Sequence, residues 1–169
     1  MVTRFRLRAP RGALLPGILC LLVLAAGPPV PGQGRRGPFS LTTLAGRTLE
    51  IGREPRVALL VFGARWCHPC EKLVPGLRRL AASQGRRGLE VVLVGLAARE
   101  DEQAFSRWAR ETGFEGALVF DGGHRLERRF RVREVPCLVA VGPGGRVLWR
   151  GEELPGPETA AGWLAAAGR

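Results

Sequence analysis

Two strand-like segments, each followed by a longer helical segment that ends at a glycine, constrain the fold of this 169-residue chain more than any other feature. The first runs from Val57 to Phe62 and precedes a predicted helix over 67–84, and the second runs from Glu90 to Gly95 and precedes a predicted helix over 101–112. Continuous runs of Val and Leu are typical of strands that are buried on both faces. The order strand, helix, strand predicts a parallel central pair with a right-handed crossover, and therefore an α/β fold.

The other predicted elements are shorter and are separated by glycine and proline turns. They are an extended opening from Pro38 around Gly46, a strand over 117–120, a short helix over 124–130, a hairpin of strands 135–141 and 146–150 joined by Gly142-Pro-Gly-Gly145, and a closing helix over 158–167. We expect Trp163 and Leu164 to face inward from the closing helix. A chain of this length buries one core, which predicts a single domain.

The first 37 residues have the composition of a targeting segment. Four arginines lie before residue 12, an apolar run extends from Ala13 to Ala26, and a stretch rich in proline and glycine follows. This order resembles a secretory signal, and the apolar run is shorter than the roughly 20 residues that a membrane-spanning helix needs. Residues 1–37 are therefore predicted to be a signal peptide or short membrane anchor with a linker, in which Cys20 is an apolar filler, and residues 38–169 to be the domain. We expect an extracytoplasmic protein, secreted or anchored at its N-terminus.

The formal net charge of +11 is concentrated at the N-terminus. Six of the 26 cationic residues precede residue 38 and all 15 acidic residues follow it, so the domain carries an excess of only five positive charges. Its arginine pairs lack the interleaved aromatic residues of a nucleic-acid stacking platform. The charge pattern predicts a solvated cationic surface that attracts acidic partners, and no nucleic-acid binding.

The segment Trp66-Cys67-His68-Pro69-Cys70 lies between the first strand and its helix. Two thiols at this spacing can form a disulfide and exchange it with another molecule. Unpaired N–H groups and the helix dipole at a helix N-terminus stabilise a thiolate, which favours Cys67 as the attacking sulfur. Cys70, one turn later and predicted to lie deeper, would resolve the mixed disulfide.

The residues around the two cysteines are expected to tune this chemistry. A cationic His68 would stabilise the Cys67 thiolate and make the disulfide a better oxidant, although an exposed histidine without influence is the alternative. Pro69 suits the first helical turn, where its missing N–H is not needed. Trp66 is the third residue assigned to redox tuning.

The strand, the Trp-Cys-x-x-Cys motif, Pro75 five residues beyond the second cysteine, and the later pair Val135-Pro136 together resemble the thioredoxin fold over about residues 38–169. The secretory start and the Phe39-Ser-Leu opening are similar to the TlpA/ResA-like thiol-disulfide oxidoreductases. The resemblance implies a central mixed sheet flanked by helices. It also implies a cis bond before Pro136, packed opposite the dithiol, and a Val135 backbone that pairs with a bound peptide.

The resemblance further implies an enzyme, a thiol-disulfide oxidoreductase that exchanges the Cys67–Cys70 disulfide with client proteins and acts as a reductant. Expected clients are the heme-site cysteines of apocytochrome c or the copper-site cysteines of an oxidase, with electrons from a membrane thiol reductant. No cofactor and no resident metal are expected. Two other functions stay open: a DsbA-like oxidase, and copper delivery in which Cys67 and Cys70 bind Cu(I) with His124 as a third ligand.

Several residues depart from the family pattern. Val61 stands where thioredoxin has a buried aspartate, and Leu73 stands where many TlpA/ResA-like proteins have a glutamate, so both usual proton acceptors are missing. Apolar neighbours should keep Cys70 protonated. Glu134 is the candidate substitute acceptor, with a solvated loop residue as the alternative. Cys137 is either a small buried strand residue or a third thiol that joins the exchange or binds a metal.

Overall fold

The structure is a computed structural model that describes residues 37–53 and 56–168. Its strands are β1 Phe39–Thr42, β2 Thr48–Ile51, β3 Val57–Gly63, β4 Leu89–Leu96, β5 Ala117–Asp121, β6 Cys137–Gly142 and β7 Arg146–Gly151. Its α-helices are α1 His68–Gln84, α2 Glu102–Glu111, α3 Arg125–Phe130 and α4 Pro157–Ala167. Residues 1–36 of the predicted targeting segment, Cys20 among them, lie outside the described residues.

A five-stranded mixed sheet with the order β5-β4-β3-β6-β7 forms the centre of the domain. β3, β4 and β5 are parallel, with Leu60 opposite Val92, whereas β6 runs antiparallel to β3 and β7 antiparallel to β6. β1 and β2 form a separate antiparallel hairpin. This arrangement confirms the predicted α/β class and the thioredoxin-like sheet.

The core lies on both faces of this sheet, as the continuous apolar strands predict. On one face, Leu59 and Val61 pack with buried residues of α1, α2 and α4. On the other face, Leu60 and Phe62 pack with α3 and with the β1–β2 hairpin. Alternate residues of β3 thus serve opposite layers, since successive side chains of a strand point to opposite faces.

Most predicted boundaries agree with the structure to within two residues. α1 continues through Pro75 and ends at Gln84, and a 3₁₀ turn at Gly85–Arg87 leads to Gly88, whose φ of 101° places it in the left-handed region that glycine favours. Trp163 and Leu164 are buried, as expected. Within the described residues, no helix has the length and apolar character needed to span a bilayer.

The predicted hairpin near the C-terminus is present, with one correction. β6 begins at Cys137 rather than at Val135, because Pro136 has no N–H to donate to the strand ladder. The connection to β7 is a 3₁₀ turn over Pro143–Gly145, within the predicted Gly142-Pro-Gly-Gly145 segment.

Candidate active site

The two cysteines form a disulfide at the beginning of α1. Cys67 is the residue that caps this helix: its Sγ accepts a hydrogen bond from the N–H of Cys70 at 3.2 Å. The N–H of Cys67 in turn donates to the carbonyl of Ala64 at 3.0 Å, which closes the turn between β3 and α1. Cys67 therefore lies among the unpaired N–H groups of a helix start, where a thiolate is stabilised.

Burial does not distinguish the two sulfurs in this oxidised form. Cys67 is 4% exposed and Cys70 is 3% exposed, so the expected difference in depth is not visible. What separates the two residues is their position along the helix. Cys67 precedes the first helical residue, and Cys70 is the third residue of α1.

The dithiol rests on an apolar layer. Cys67 and Cys70 belong to the same buried cluster as Val61, Leu77 and Leu138, and Leu73 packs against this cluster from α1. Val61 and Leu73, the two positions at which the resemblance would place a proton acceptor, are both apolar members or neighbours of this cluster. The apolar surroundings predicted for Cys70 are thus present.

His68 and Pro69 lie on the solvent side of the first turn of α1. Nδ1 of His68 is 3.9 Å from a carboxylate oxygen of Glu71, and both side chains are more than half exposed. Pro69 lies at the start of the helix, as predicted. The influence of these residues on the redox potential stays a prediction.

Trp66 is partly exposed beside the dithiol and is attached to the loop that follows β4. Trp66 is 43% exposed. Its Nε1 donates a hydrogen bond to the carbonyl of Ala98 at 2.7 Å, and the Arg99 guanidinium lies 5.7 Å from the centre of its ring. A cation at this distance is attracted to the ring face. The loop over 97–101 thus holds the segment that leads into Cys67.

Glu100, in the same loop, is a site residue that the sequence did not indicate. Its side chain has no exposed surface, and its two oxygens accept the N–H of Arg65 at 3.1 and 3.2 Å. Burial raises the pKa of this carboxyl group. The hydrogen bond from Arg65 and the charge of Arg65 act to lower the pKa, and the charge of Asp101 acts to raise it. The sequence feature that could have indicated Glu100 is its position after β4. Because β3 and β4 are parallel, the residues that follow both strands lie at the same edge of the sheet.

The Val135–Pro136 bond is cis, as the resemblance implied. Val135 is half-buried and packs against both apolar clusters. Glu134 is exposed and lies with Arg133 and Arg150 on the wall of a cleft of about 800 Å³. The role of Glu134 as proton acceptor stays a prediction.

Cys137 is a free, buried thiol on the other face of the sheet. It pairs in register with Phe62, packs in the cluster of α3, and has its pKa raised by burial. The dithiol belongs to the opposite cluster. This placement supports the interpretation of Cys137 as a small buried strand residue.

His124 does not join the dithiol either. Its Nδ1 lies 2.7 Å from a carboxylate oxygen of Glu127, and it precedes α3, which packs in the cluster opposite to that of the dithiol. Among the residues that the structure describes, no group of three or more His, Cys, Asp or Glu side chains could hold a metal ion. The residues named for a copper site are therefore not assembled into one.

Comparison with known proteins agrees with the fold. Residues 55–147 match a family model described as thioredoxin-like. The thiol-disulfide oxidoreductase ResA of Bacillus thuringiensis is 26% identical over 128 residues, which are 75% of this chain and 71% of that protein.

Two solved structures share the fold. StoA from Bacillus subtilis has a TM-score of 0.66 at 19% identity and covers 76% of this chain and 96% of its own. A secreted Mycobacterium tuberculosis disulfide oxidoreductase homologous to Escherichia coli DsbE has a TM-score of 0.60 at 20% identity and covers 78% of this chain and 97% of its own. With its helix-capping Cys67–Cys70 disulfide and its match over more than half of the sequence, the chain belongs to the thioredoxin-like family, as a TlpA/ResA-like thiol-disulfide oxidoreductase.

Proposed function

We propose that this protein reduces disulfides in client proteins outside the cytoplasm, with Cys67 as the attacking sulfur and Cys70 as the resolving sulfur. The observation that carries the proposal is the position of Cys67 as the cap of α1, hydrogen-bonded to the N–H of Cys70. In the reduced protein the same N–H groups stabilise a Cys67 thiolate, which is the nucleophilic form.

The exchange transfers two electrons from the dithiol to the client. The Cys67 thiolate attacks one client sulfur, the client disulfide breaks, and the released client thiolate takes a proton. Cys70 then loses its proton and attacks Sγ of Cys67, which releases the second client thiolate and forms the Cys67–Cys70 disulfide. An upstream membrane thiol reductant would restore the dithiol by the same reaction in reverse.

Client recognition would use the backbone at Val135. A segment that adds alongside Val135 pairs through main-chain hydrogen bonds, which require no particular client side chain. Trp66 lies partly exposed beside the disulfide and offers an aromatic surface to the same segment. Together these features favour a range of protein clients.

The composition of the N-terminal residues supports a location outside the cytoplasm. The resemblance to the TlpA/ResA-like branch supports reduction as the direction of the reaction. Residues 1–37 would be the signal peptide or short anchor, and residues 38–169 the exported thioredoxin-like domain. A secreted relative shares the fold. Within the TlpA/ResA-like branch, reduction of the heme-site cysteines of apocytochrome c is the client reaction that we propose first, with the copper-site cysteines of an oxidase second.

The direction is tested by the reduction potential of the dithiol in glutathione buffers. A reduction potential of about −270 mV, as in thioredoxin, supports a reductant, whereas a potential of about −120 mV, as in DsbA, would identify an oxidase. The catalytic assignment is tested by insulin reduction. Cys67→Ser and Cys70→Ser should abolish it, while Cys137→Ser, which changes a cysteine on the other face of the sheet, should retain it.

Client identity is tested by trapping. The Cys70→Ser variant should accumulate client proteins as mixed disulfides on Cys67 in envelope extracts. The matched double change of Cys67→Ser and Cys70→Ser should trap none. Equal recovery from both variants would contradict the assigned roles.

A further inference from the structure

A buried carboxyl group beside the dithiol has no part in the exchange chemistry described above. Glu100 follows β4, and its side chain lies under the turn that leads from β3 into α1. Because β3 and β4 are parallel, with Gly63 opposite Gly95, the segments after both strands meet at the edge of the sheet that carries Cys67.

The contact that Glu100 makes acts directly on the backbone of the dithiol turn. Both of its oxygens accept the N–H of Arg65, two residues before Cys67. The N–H of Cys67 bonds to the carbonyl of Ala64 in the same turn. Glu100 thus binds the backbone of the four-residue turn from Ala64 to Cys67, which ends at the attacking cysteine.

The rest of the loop is built around the same turn. Ala98 accepts the indole N–H of Trp66, and Arg99 lies over the Trp66 ring with a φ of 65°, a left-handed conformation that costs free energy in a residue other than glycine. A backbone acceptor or a neutral side chain could hold the Arg65 N–H without burying an ionisable group. The chain instead places there a carboxyl group that has no exposed surface.

We propose that Glu100 is a positioning residue of the dithiol: its carboxylate holds the Arg65 N–H and thereby fixes the turn that presents Cys67, so that the rate of exchange depends on the ionisation of Glu100. The inference rests on the proposed function of the dithiol.

The direction of the dependence follows from hydrogen-bond strength. A carboxylate is a stronger acceptor than a neutral carboxylic acid, so protonation loosens the hold on Arg65. The charged groups that face Glu100 are the Arg65 guanidinium, whose Nε is 3.9 Å away, and Asp101 at the start of α2. Since burial raises the pKa of Glu100, loosening would begin at a higher pH than for an exposed glutamate.

The test compares Glu100→Gln and Glu100→Ala with wild type, using the rate constant for reaction of the reduced protein with glutathione disulfide between pH 4 and 8. Glu102→Gln is the matched control, because it removes a carboxylate from an exposed residue two positions along the chain. At pH 7 we expect Glu100→Ala to slow the reaction about tenfold, since a displaced reacting group loses up to about a hundredfold in rate. Glu100→Gln should slow it by about threefold, because a neutral acceptor remains.

The pH profile separates positioning from a purely structural role. The ratio of the wild-type rate constant to that of Glu100→Gln should fall towards one as the pH is lowered, whereas the ratio of wild type to Glu102→Gln should stay constant. A ratio of wild type to Glu100→Gln that is constant over the whole range would overturn the inference, as would a folded Glu100→Ala with the wild-type rate. If Glu100→Ala does not fold, the Glu100→Gln profile decides alone.

The same experiment separates this inference from the proposed function. If wild type reacts with glutathione disulfide and reduces insulin but the Glu100 variants behave like wild type, only the positioning role fails. If reduced wild type is inert in both assays, the proposed function fails and the positioning role fails with it.

Discussion

Replacing Val61 with aspartate tests the apolar character of the layer beneath the dithiol. Val61 is 1% exposed on β3 and packs in the cluster that contains Cys70, Leu77 and Leu138. A carboxyl group placed there has to stay protonated, and holding it neutral at pH 7 against an unfolded pKa of about 3.9 costs about 4 kcal/mol, at about 1.4 kcal/mol per pH unit. Loss of a buried valine adds about 1 to 2 kcal/mol. The total of about 5 kcal/mol is comparable to the whole stability of a small domain, about 5–15 kcal/mol.

The sign of the pH dependence gives the test. The folded-state pKa of the introduced carboxyl would be raised above its unfolded value, so its penalty is nearly absent below about pH 4 and grows as the pH rises towards the folded pKa. Urea unfolding of Val61→Asp at pH 4 and pH 7 measures the penalty. Val61→Asn is the control, because it introduces a polar group of the same shape that does not titrate.

The comparison is made between the two variants at each pH. We expect Val61→Asp to lose about 3 to 4 kcal/mol relative to Val61→Asn on going from pH 4 to pH 7. An unchanged difference between them would mean that the carboxyl group reaches water. The argument that the layer beneath Cys70 is dry would then be wrong.

Three further predictions concern the surroundings of the dithiol and the fold. Trp66→Phe removes the indole hydrogen bond to Ala98 and should lower the free energy of unfolding in urea by about 1 kcal/mol; an unchanged midpoint would mean that this bond contributes nothing. His68→Ala should slow alkylation of Cys67 by iodoacetamide about twofold at pH 6, because a cationic His68 would stabilise the thiolate; an unchanged rate would mean that His68 has no influence on Cys67. Asp121→Asn alters a buried carboxylate that accepts two backbone N–H groups of α3 at 2.8 Å, and should cost about 1 to 2 kcal/mol in urea unfolding without changing insulin reduction. A loss of insulin reduction with unchanged stability would contradict the role of Asp121 in stabilising α3.

The elements that carry the dithiol were predictable from the sequence because their signals are local. The apolar run from Val57 and the glycine after residue 84 indicate a strand and a helix, and the cysteine spacing indicates the start of that helix. The structure agrees, with β3 at Val57–Gly63 and α1 at His68–Gln84.

The remaining features depend on contacts between distant segments. The burial of Glu100 arises because its loop folds against Arg65, a residue 35 positions earlier, and no local pattern reports that approach. The side of the sheet on which Cys137 lies depends on its register opposite Phe62. A shift of one residue would place its thiol on the face of the dithiol, and β6, which is buried at every position, has no alternation of apolar and polar residues to indicate the register.

The sheet separates Cys137, the free cysteine of the described residues, from the disulfide. Cys137 belongs to the layer under α3, and the disulfide belongs to the layer under α1, α2 and α4. A disulfide between Cys137 and either cysteine of the pair would have to cross the layer formed by β3 and β6. The folded sheet thus favours the Cys67–Cys70 pairing over either pairing with Cys137.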